Sequence, residues 1–86
     1  MNIQYHKHFE KRFAKLSPKL KQKVISAIKK FSTNPHDVRL HNHVLVGRLA
    51  GLRAFSVTGY IRVVFEEHDN YILVIILDVG THNQVY

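Results

Sequence analysis

The longest apolar stretch of this 86-residue chain is Tyr71-Ile72-Leu73-Val74-Ile75-Ile76-Leu77. A bilayer-crossing segment needs about 20 apolar residues, so this stretch is not a membrane span. Its apolar residues are consecutive rather than alternate, which is typical of a strand that is covered on both faces. We therefore predict a β-sheet in which residues 71–79 form a central strand.

Two further runs rich in β-branched and aromatic residues precede this strand, at residues 52–57 and 60–66. Short polar segments separate the three runs, as in hairpin turns: Thr58-Gly59 and residues 67–70. The runs predict an antiparallel meander of three strands. Residues 2–5 are expected to add a short strand at an edge of the sheet.

The first third of the chain has helical spacing instead. Ser17 followed by Pro18 predicts a helix start, because serine can accept from free main-chain amides and proline fits the first helical position. The apolar residues after it recur at helical spacing until residues 32–35: Leu20, Val24, Ala27, Ile28 and Phe31. The same spacing predicts a first helix over about residues 6–16: Phe9, Phe13 and Leu16.

The predicted fold is one α+β domain over residues 1–86. A helical hairpin near the start of the chain packs on one face of a small antiparallel sheet, and the opposite face of the sheet is open for function. The segment 40–51 is expected to cross the domain as irregular chain, with Gly47 and Gly51 at tight bends.

The charge of the chain is strongly positive and uneven. It has 13 Lys and Arg against 6 Asp and Glu, a formal net charge of +7 with neutral histidines. Residues 1–30 hold nine of the basic residues and one acid, and residues 39–62 hold four arginines and no acid. This pattern predicts an anionic partner such as nucleic acid. A solvated, lysine-rich helix face is the simpler alternative for residues 1–30.

Several classes of protein are not indicated. The chain has no cysteine, which excludes disulfide scaffolds, thiolate metal sites and cysteine nucleophiles. It has no glycine-rich phosphate loop and no paired-histidine or calcium-loop motif, so we expect no cofactor. The pairs His6/His8 and His41/His43 lack an assured third ligand, so we expect no metal. The first residues lack a secretory signal, which favours a cytoplasmic protein without membrane contact.

Five residues could converge near one face of the sheet and cut RNA: His43, Arg53, Arg62, His82 and Tyr86. Cleavage by the RNA's own 2′-hydroxyl needs a proton acceptor, a proton donor and cations for the phosphoryl oxygens. Histidine suits acid or base work because its ordinary pKa lies near neutral pH, and arginine stabilises negative charge without losing its proton.

Three motifs resemble the RelE/ParE superfamily of type II toxin–antitoxin toxins, and within it the RelE/StbE and YafQ groups. They are Leu40-x-x-His43-x-Leu45-x-Gly47-x-Leu49-x-Gly51-x-Arg53, Gly59-Tyr60-Ile61-Arg62-Val63-Val64-Phe65 and Asp78-Val79-Gly80-Thr81-His82-Asn83-Gln84-Val85-Tyr86. The resemblance covers nearly the whole chain, and the Gly-Thr-His sequence is its most specific part. It implies a RelE-like fold and a ribosome-dependent, metal-independent messenger RNA endonuclease.

The resemblance also implies roles for single residues. Arg62 matches the family's catalytic arginine and would stabilise the phosphate in the transition state. His82 matches the histidine of the YafQ-like motif and would be the general acid. His43 matches a YafQ-like active-site histidine and would be the general base. Tyr86 matches the family's terminal aromatic residue, which orients or stacks on the substrate. The sequence leaves open whether His43 or Tyr86 takes the first proton. The substrate-binding candidates are Arg48, Arg53, Lys19 and Lys23.

Each catalytic assignment has a structural alternative. Arg62 could form an ion pair with Glu66 or Glu67, His82 could cap the end of the sheet, and His43 could make only a structural hydrogen bond. The chain also departs from its relatives. It has Phe55 where RelE has a lysine, and three residues differ from the YafQ pattern of histidine, aspartate and tryptophan: Ser56, Tyr60 and Ile61.

The resemblance implies partners as well. These are a cognate antitoxin, the ribosome with its ribosomal RNA, and messenger RNA, and the toxin–antitoxin complex could bind operator DNA. Two other functions fit the same family or charge. One is a ParE-like, non-enzymatic inhibitor of DNA gyrase, and the other is a catalytically silent module that binds nucleic acid or antitoxin.

Overall fold

The computed structural model describes residues 1–86. Its strands are β1 (Asn2–Tyr5), β2 (His43–Val44), β3 (Arg53–Ser56), β4 (Ile61–His68) and β5 (Leu73–Thr81). Its α-helices are α1 (Lys7–Ala14), α2 (Pro18–Thr33) and α3 (His82–Val85). Two short 3-10 turns lie at Val38–Leu40 and Gly47–Leu49. None of the helices combines the length and the apolar character that a bilayer span requires.

The five strands form one sheet in the order β1-β5-β4-β3-β2. β1 pairs in parallel with β5, and all other neighbours are antiparallel. The predicted α+β class, the meander and the edge strand at residues 2–5 are confirmed. β5 lies between β1 and β4, so it is an internal strand, as the apolar stretch indicates.

Two parts of the sheet differ from the prediction. β5 begins at Leu73 rather than Tyr71, because residues 69–71 take left-handed backbone with φ of 54°, 56° and 70° and form a turn. The segment 40–51 is also more regular than expected. It contains the two-residue strand β2, which pairs with β3, and a 3-10 turn at Gly47–Leu49.

Both predicted helices are confirmed, and local caps define where they begin. Ser17 Oγ accepts from the main-chain N–H of Leu20 at 3.2 Å, and Pro18 occupies the first position of α2. His6 caps α1 in the same way, because its Nδ1 accepts from the main-chain N–H of His8 at 3.0 Å. These caps satisfy amides that have no partner within the helix.

The main core lies between the two long helices and one face of the sheet. Phe31 of α2 is fully buried, stacks on Phe55 with ring centroids 4.6 Å apart and meets Phe65 edge-on at 4.8 Å. Burying each ring contributes about 1.5–3 kcal/mol. Phe9 brings α1 into the same cluster, which also contains Val74 of β5.

The opposite face of the sheet is not fully open, which corrects the prediction. A smaller cluster covers part of it: Leu45, Ala54, Val64 and Val85. This cover forms because the segment after β2 and the helix α3 both fold back over this face. Ile75 and Leu77 of β5 are only half-buried there, so coverage of β5 on both faces is incomplete.

A β-bulge in β5 gives this second face an extra side chain. Phe65 pairs with Ile76 and Val64 pairs with Asp78, so Leu77 is unpaired in the ladder. The Asp78 carboxylate lies 3.3 Å from His8 Nε2, and it also lies 3.6 Å from Arg12 Nε. Through these two contacts, Asp78 at the bulge holds α1 against the end of β5, where α3 begins.

Candidate active site

The Gly-Thr-His sequence forms the junction between β5 and α3. Thr81 Oγ1 accepts from the main-chain N–H of Gln84 at 3.3 Å, and Gln84 Oε1 accepts from the main-chain N–H of Thr81 at 2.8 Å. This reciprocal pair is a capping box. It places His82 at the first position of α3 and Tyr86 one turn later, so both side chains lie on one side of the helix.

Tyr86 joins this turn to β2 across the second face of the sheet. Its hydroxyl lies 3.4 Å from His43 Nε2, and His43 Nδ1 lies 2.8 Å from the carbonyl oxygen of His41. A carbonyl oxygen only accepts, so Nδ1 carries a proton and Nε2 of the neutral ring has a free lone pair. The Tyr86 hydroxyl therefore donates toward Nε2, which is the nitrogen that can take up a proton.

His82 and Arg48 hold the other sides of Tyr86. The His82 ring meets the Tyr86 ring edge-on, with centroids 4.3 Å apart. The Arg48 guanidinium donates from Nη2 to the main-chain oxygen of Tyr86. These residues and His43 line a pocket of about 500 Å³, here called the tyrosine pocket. Its remaining wall is apolar and includes Leu45.

Arg62 lies on the other side of His43, in a polar depression here called the arginine groove. This groove has a volume of about 550 Å³ and is lined by Arg39, His41, His43, Ser56, Val57, Thr58, Gly59 and Arg62. Arg62 Nη1 donates to the carbonyl oxygen of Thr58 at 3.1 Å. Arg62 makes no ion pair with Glu66 or Glu67, so that structural alternative is wrong. His43 stands between the groove and the pocket, because it lines both.

Burial and charge act on Tyr86 in opposite directions. Burial raises the pKa of the Tyr86 phenol above its ordinary value of 10.0, and the positive charge of Arg62 partly offsets this rise. The phenol is therefore neutral near pH 7. A neutral phenol donates a hydrogen bond and does not act as a base, which leaves His43 Nε2 as the proton acceptor of this pair.

Arg53 does not join the other four predicted residues, which corrects the expected convergence. It is in register with Phe65 and lies two positions from Phe55, so it faces the helices. Arg62 and Ala54 face the opposite side. Arg53 Nε donates to Asn42 Oδ1 at 2.9 Å.

Asn42 links Arg53 to the wall of the main core. Its Nδ2 donates to the hydroxyl of Tyr71 at 2.9 Å and to the carbonyl oxygen of Pro35 at 3.0 Å. This network uses both donors and one acceptor position of a half-buried amide. Arg53 is therefore placed where it supports the fold, and nothing in its position supports the predicted contact with RNA.

Lys19 and Lys23 lie one turn apart on α2 and line a third depression, here called the lysine groove. It has a volume of about 620 Å³, and Lys30 and Arg39 also line it. The lysines are exposed. Lys19 and Lys23 line the same groove. Their role as substrate contacts stays a prediction.

Sequence reasoning missed Arg39, His41 and Thr58 as residues of this region. The signal for Arg39 is its place in the acid-free segment 39–62, where it is the first of four arginines. His41 carries only the signal of its spacing from His43, and Thr58 carries none, because a left-handed residue and a turn residue enter the groove only through the fold. No three His, Asp or Glu side chains lie close enough together to form a metal site.

Comparisons with known proteins identify the fold. No family model matches the chain, and no curated protein matches it by sequence. Several solved structures do match it over nearly their whole length. The toxin–antitoxin complex RelBE2 from Mycobacterium tuberculosis has a TM-score of 0.77 and 23% identity, covering 94% of this chain and 96% of that one.

Two further matches are toxins. The YoeB/ParE toxin from Agrobacterium tumefaciens has a TM-score of 0.77 and 14% identity, covering 95% of this chain and 99% of that one. YafQ from E. coli has a TM-score of 0.72 and 21% identity, covering 99% and 97%. The chain therefore has the fold of the RelE, YoeB/ParE and YafQ toxins.

Proposed function

We propose that this protein is the toxin of a type II toxin–antitoxin module and that it cuts messenger RNA on the ribosome without a metal. The observation that carries the proposal is the contact series His43–Tyr86–His82 beside Arg62, on a toxin fold. These residues supply a proton acceptor, a proton donor and a fixed cation within one surface region.

The first step of the proposed reaction uses His43 as general base. Its Nε2 takes the proton of the 2′-hydroxyl, and the 2′-oxygen then forms a bond to the adjacent phosphorus. The hydrogen bond from Nδ1 to the His41 carbonyl oxygen keeps the lone pair on Nε2 and fixes the ring. The neutral state of the Tyr86 phenol supports His43, rather than Tyr86, as the acceptor.

The second step uses His82 as general acid. As the bond from phosphorus to the 5′-oxygen breaks, protonated His82 gives its proton to that oxygen. The products are a 2′,3′-cyclic phosphate and a free 5′-hydroxyl, and the two histidines have exchanged protonation states. Contact with the Tyr86 ring holds the His82 side chain beside the pocket.

Arg62 stabilises the charge that develops on the non-bridging oxygens between these steps. Its hydrogen bond to the Thr58 carbonyl oxygen orients the guanidinium before substrate binds, so little reorganisation is needed. Apart from the hydrogen bond to Thr58, the donors of Arg62 are unpaired and can bind phosphoryl oxygens. Arg48 has a positioning role in this scheme, because it holds the main chain of Tyr86.

The test is primer extension on a defined messenger RNA in a purified translation system, with and without ribosomes. We expect wild-type protein to cut within codons only when ribosomes are present. His82→Ala and Arg62→Ala should each reduce the rate about 100-fold or more. His68→Ala is the matched control, because His68 is also exposed but lies at the far end of β4. Undiminished cutting by both site variants would contradict the mechanism.

Inhibition of DNA gyrase is the second candidate function, and the similarity to a YoeB/ParE toxin favours it. Such an inhibitor needs no histidine pair. A supercoiling assay separates the two functions, because His82→Ala should leave gyrase inhibition unchanged while it removes RNA cleavage.

We also propose a cognate, acidic antitoxin as the partner, together with the ribosome and operator DNA for the complex. RelBE2 and the DinJ–YafQ complex from E. coli are both toxin–antitoxin complexes, which supports this partner. Charge complementarity with a +7 chain favours an acidic protein. Co-purification with the product of the neighbouring open reading frame tests it, and recovery of free toxin alone would count against it.

A further inference from the structure

The lysine groove and the arginine groove are two parts of one depression. Four residues line both of them: Arg39, Ser56, Val57 and Thr58. Ser56 and Thr58 come from β3 and the turn that follows it, and Arg39 comes from the 3-10 turn opposite. The path thus runs from α2, past Arg39, to Arg62 and His43.

The charge along this path has one sign. Lys19, Lys23 and Lys30 line it at the α2 end, and Arg62 lines it at the catalytic end. No Asp or Glu side chain lines either groove. Arg39 is the cation at the junction, so a polyanion that occupied both grooves would pass directly over it.

Asp37 holds Arg39 in position at this junction. Asp37 Oδ1 accepts from Arg39 Nε at 3.0 Å and Oδ2 accepts from Nη2 at 2.7 Å, a two-pronged pair. The Asp37 side chain is 17% exposed and that of Arg39 is 69% exposed, so the carboxylate lies behind the guanidinium. The remaining donors of Arg39, both hydrogens on Nη1 and one on Nη2, have no partner.

The pair is intact at neutral pH. The hydrogen bonds from the Arg39 side chain and main chain lower the pKa of Asp37 from 3.8 to about 2. Asp37 also accepts from the main-chain N–H of Arg39 at 2.9 Å, which fixes the turn that carries the guanidinium. Arg39 is therefore pre-oriented, and less conformational entropy is lost when it binds a ligand.

We propose that Arg39 is a phosphate-binding residue and that one single strand of RNA occupies both grooves, with its backbone crossing at Arg39. The identity of the ligand as RNA rests on the proposed function. Asp37 is a positioning residue in this scheme, because it orients Arg39 and does not face the ligand. The lysines of α2 then bind phosphates beyond Arg39 on the same strand.

The test measures binding of a fluorescent 2′-O-methyl RNA oligonucleotide, which cannot be cut, at several salt concentrations. For single-stranded nucleic acid, each phosphate contact contributes about 0.7 to the slope of log K against log salt. We expect Arg39→Gln to weaken binding several-fold and to lower this slope by about 0.7. Lys15→Gln is the control, because Lys15 is exposed and lines neither groove.

Asp37→Glu separates positioning from charge. It keeps both charges but moves the carboxylate, so the salt slope should stay near the wild-type value while affinity falls. Urea unfolding of all variants checks that the fold is unchanged. Unchanged affinity and slope in Arg39→Gln would overturn the inference, and so would an effect on the antitoxin complex without an effect on RNA binding.

Failure of this inference differs from failure of the proposed function. Wild-type protein that cuts messenger RNA while Arg39→Gln binds normally would leave the catalytic proposal standing and remove the shared RNA path. Suppose instead that the wild-type protein cuts nothing, while Arg39→Gln lowers the slope of log K against log salt. The shared RNA path would then stand for a protein that only binds RNA, and the proposed endonuclease function would be overturned.

Discussion

Replacement of Gly80 by alanine would place a methyl group against α3. A Cβ on Gly80 would lie 2.7 Å from Gln84 Oε1, 3.2 Å from Gln84 Cβ and 3.3 Å from Arg12 Nη1. Gln84 Oε1 cannot move away freely, because it accepts from the main-chain N–H of Thr81 at 2.8 Å. Gly80→Ala therefore either breaks the capping box or pushes α3 off the sheet.

The expected cost combines two opposing effects. Overpacking of this kind costs about 1–3 kcal/mol, whereas Gly→Ala gains about 0.4–1 kcal/mol by restricting the unfolded chain. Taken at the middle of each range, the net loss in free energy of unfolding is about 1.3 kcal/mol, which lowers the Tm of a chain this size by roughly 5–10 °C. A shift of α3 by about 1 Å would also separate His82 and Tyr86 from His43, reducing cleavage by about 100-fold.

The assay is urea unfolding combined with primer extension. Gly59→Ala is the matched control for unfolding only, since Gly59 lines the arginine groove. No atom lies within 4 Å of a Cβ there, so its stability should be unchanged or slightly raised. In a Gln84→Ala background the methyl group of Gly80→Ala loses its nearest contact, so its cost should fall. Equal stability of Gly80→Ala and wild type, or an equal cost in both backgrounds, would refute the reasoning.

Two further predictions concern a phenol and an amide. Burial raises the pKa of Tyr86 above 10.0, so its contribution to stability is present below pH 10 and declines as the pH rises through the folded-state pKa. The pH titration of tyrosinate absorbance, measured in wild type and in Tyr86→Phe, should show the raised pKa of Tyr86. Arg62→Gln should raise that pKa further, because it removes the positive charge. Asn42→Ala removes three hydrogen bonds and should cost about 1–3 kcal/mol in urea unfolding, with cleavage by the folded protein unchanged. Lost cleavage at normal stability would place Asn42 in the site instead.

The fold could be predicted from the sequence where periodicity and caps agree. The apolar stretch in β5 and the Ser17-Pro18 start of α2 both have direct physical causes, and both predictions are confirmed. β2 could not be predicted, because a strand of two residues has no periodicity and depends on pairing with β3. The left-handed turn at residues 69–71 could be predicted only in part, because Asp69 and Asn70 are typical turn residues whereas Tyr71 is not.

The candidate site was predicted in part. The structure brings together His43, Arg62, His82 and Tyr86, and the family motifs already contain all four. Arg53 was misplaced because a strand alternates its faces, and sequence spacing alone does not say which face Arg53 shares. The roles of these residues stay predictions until cleavage is measured.

The pairing of β1 with β5 joins two segments that lie far apart in the sequence. Asn2 is in register with Leu73, about 70 positions later, so β1 has no partner until β5 exists. The helices form from local contacts, whereas this closure is the kind of long-range step that slows folding. α3 follows β5 directly, so the segment that supplies the partner of β1 also supplies the contact between Tyr86 and His43. Residues 73–86 therefore complete the sheet and the candidate site together, so a chain that lacks them has neither.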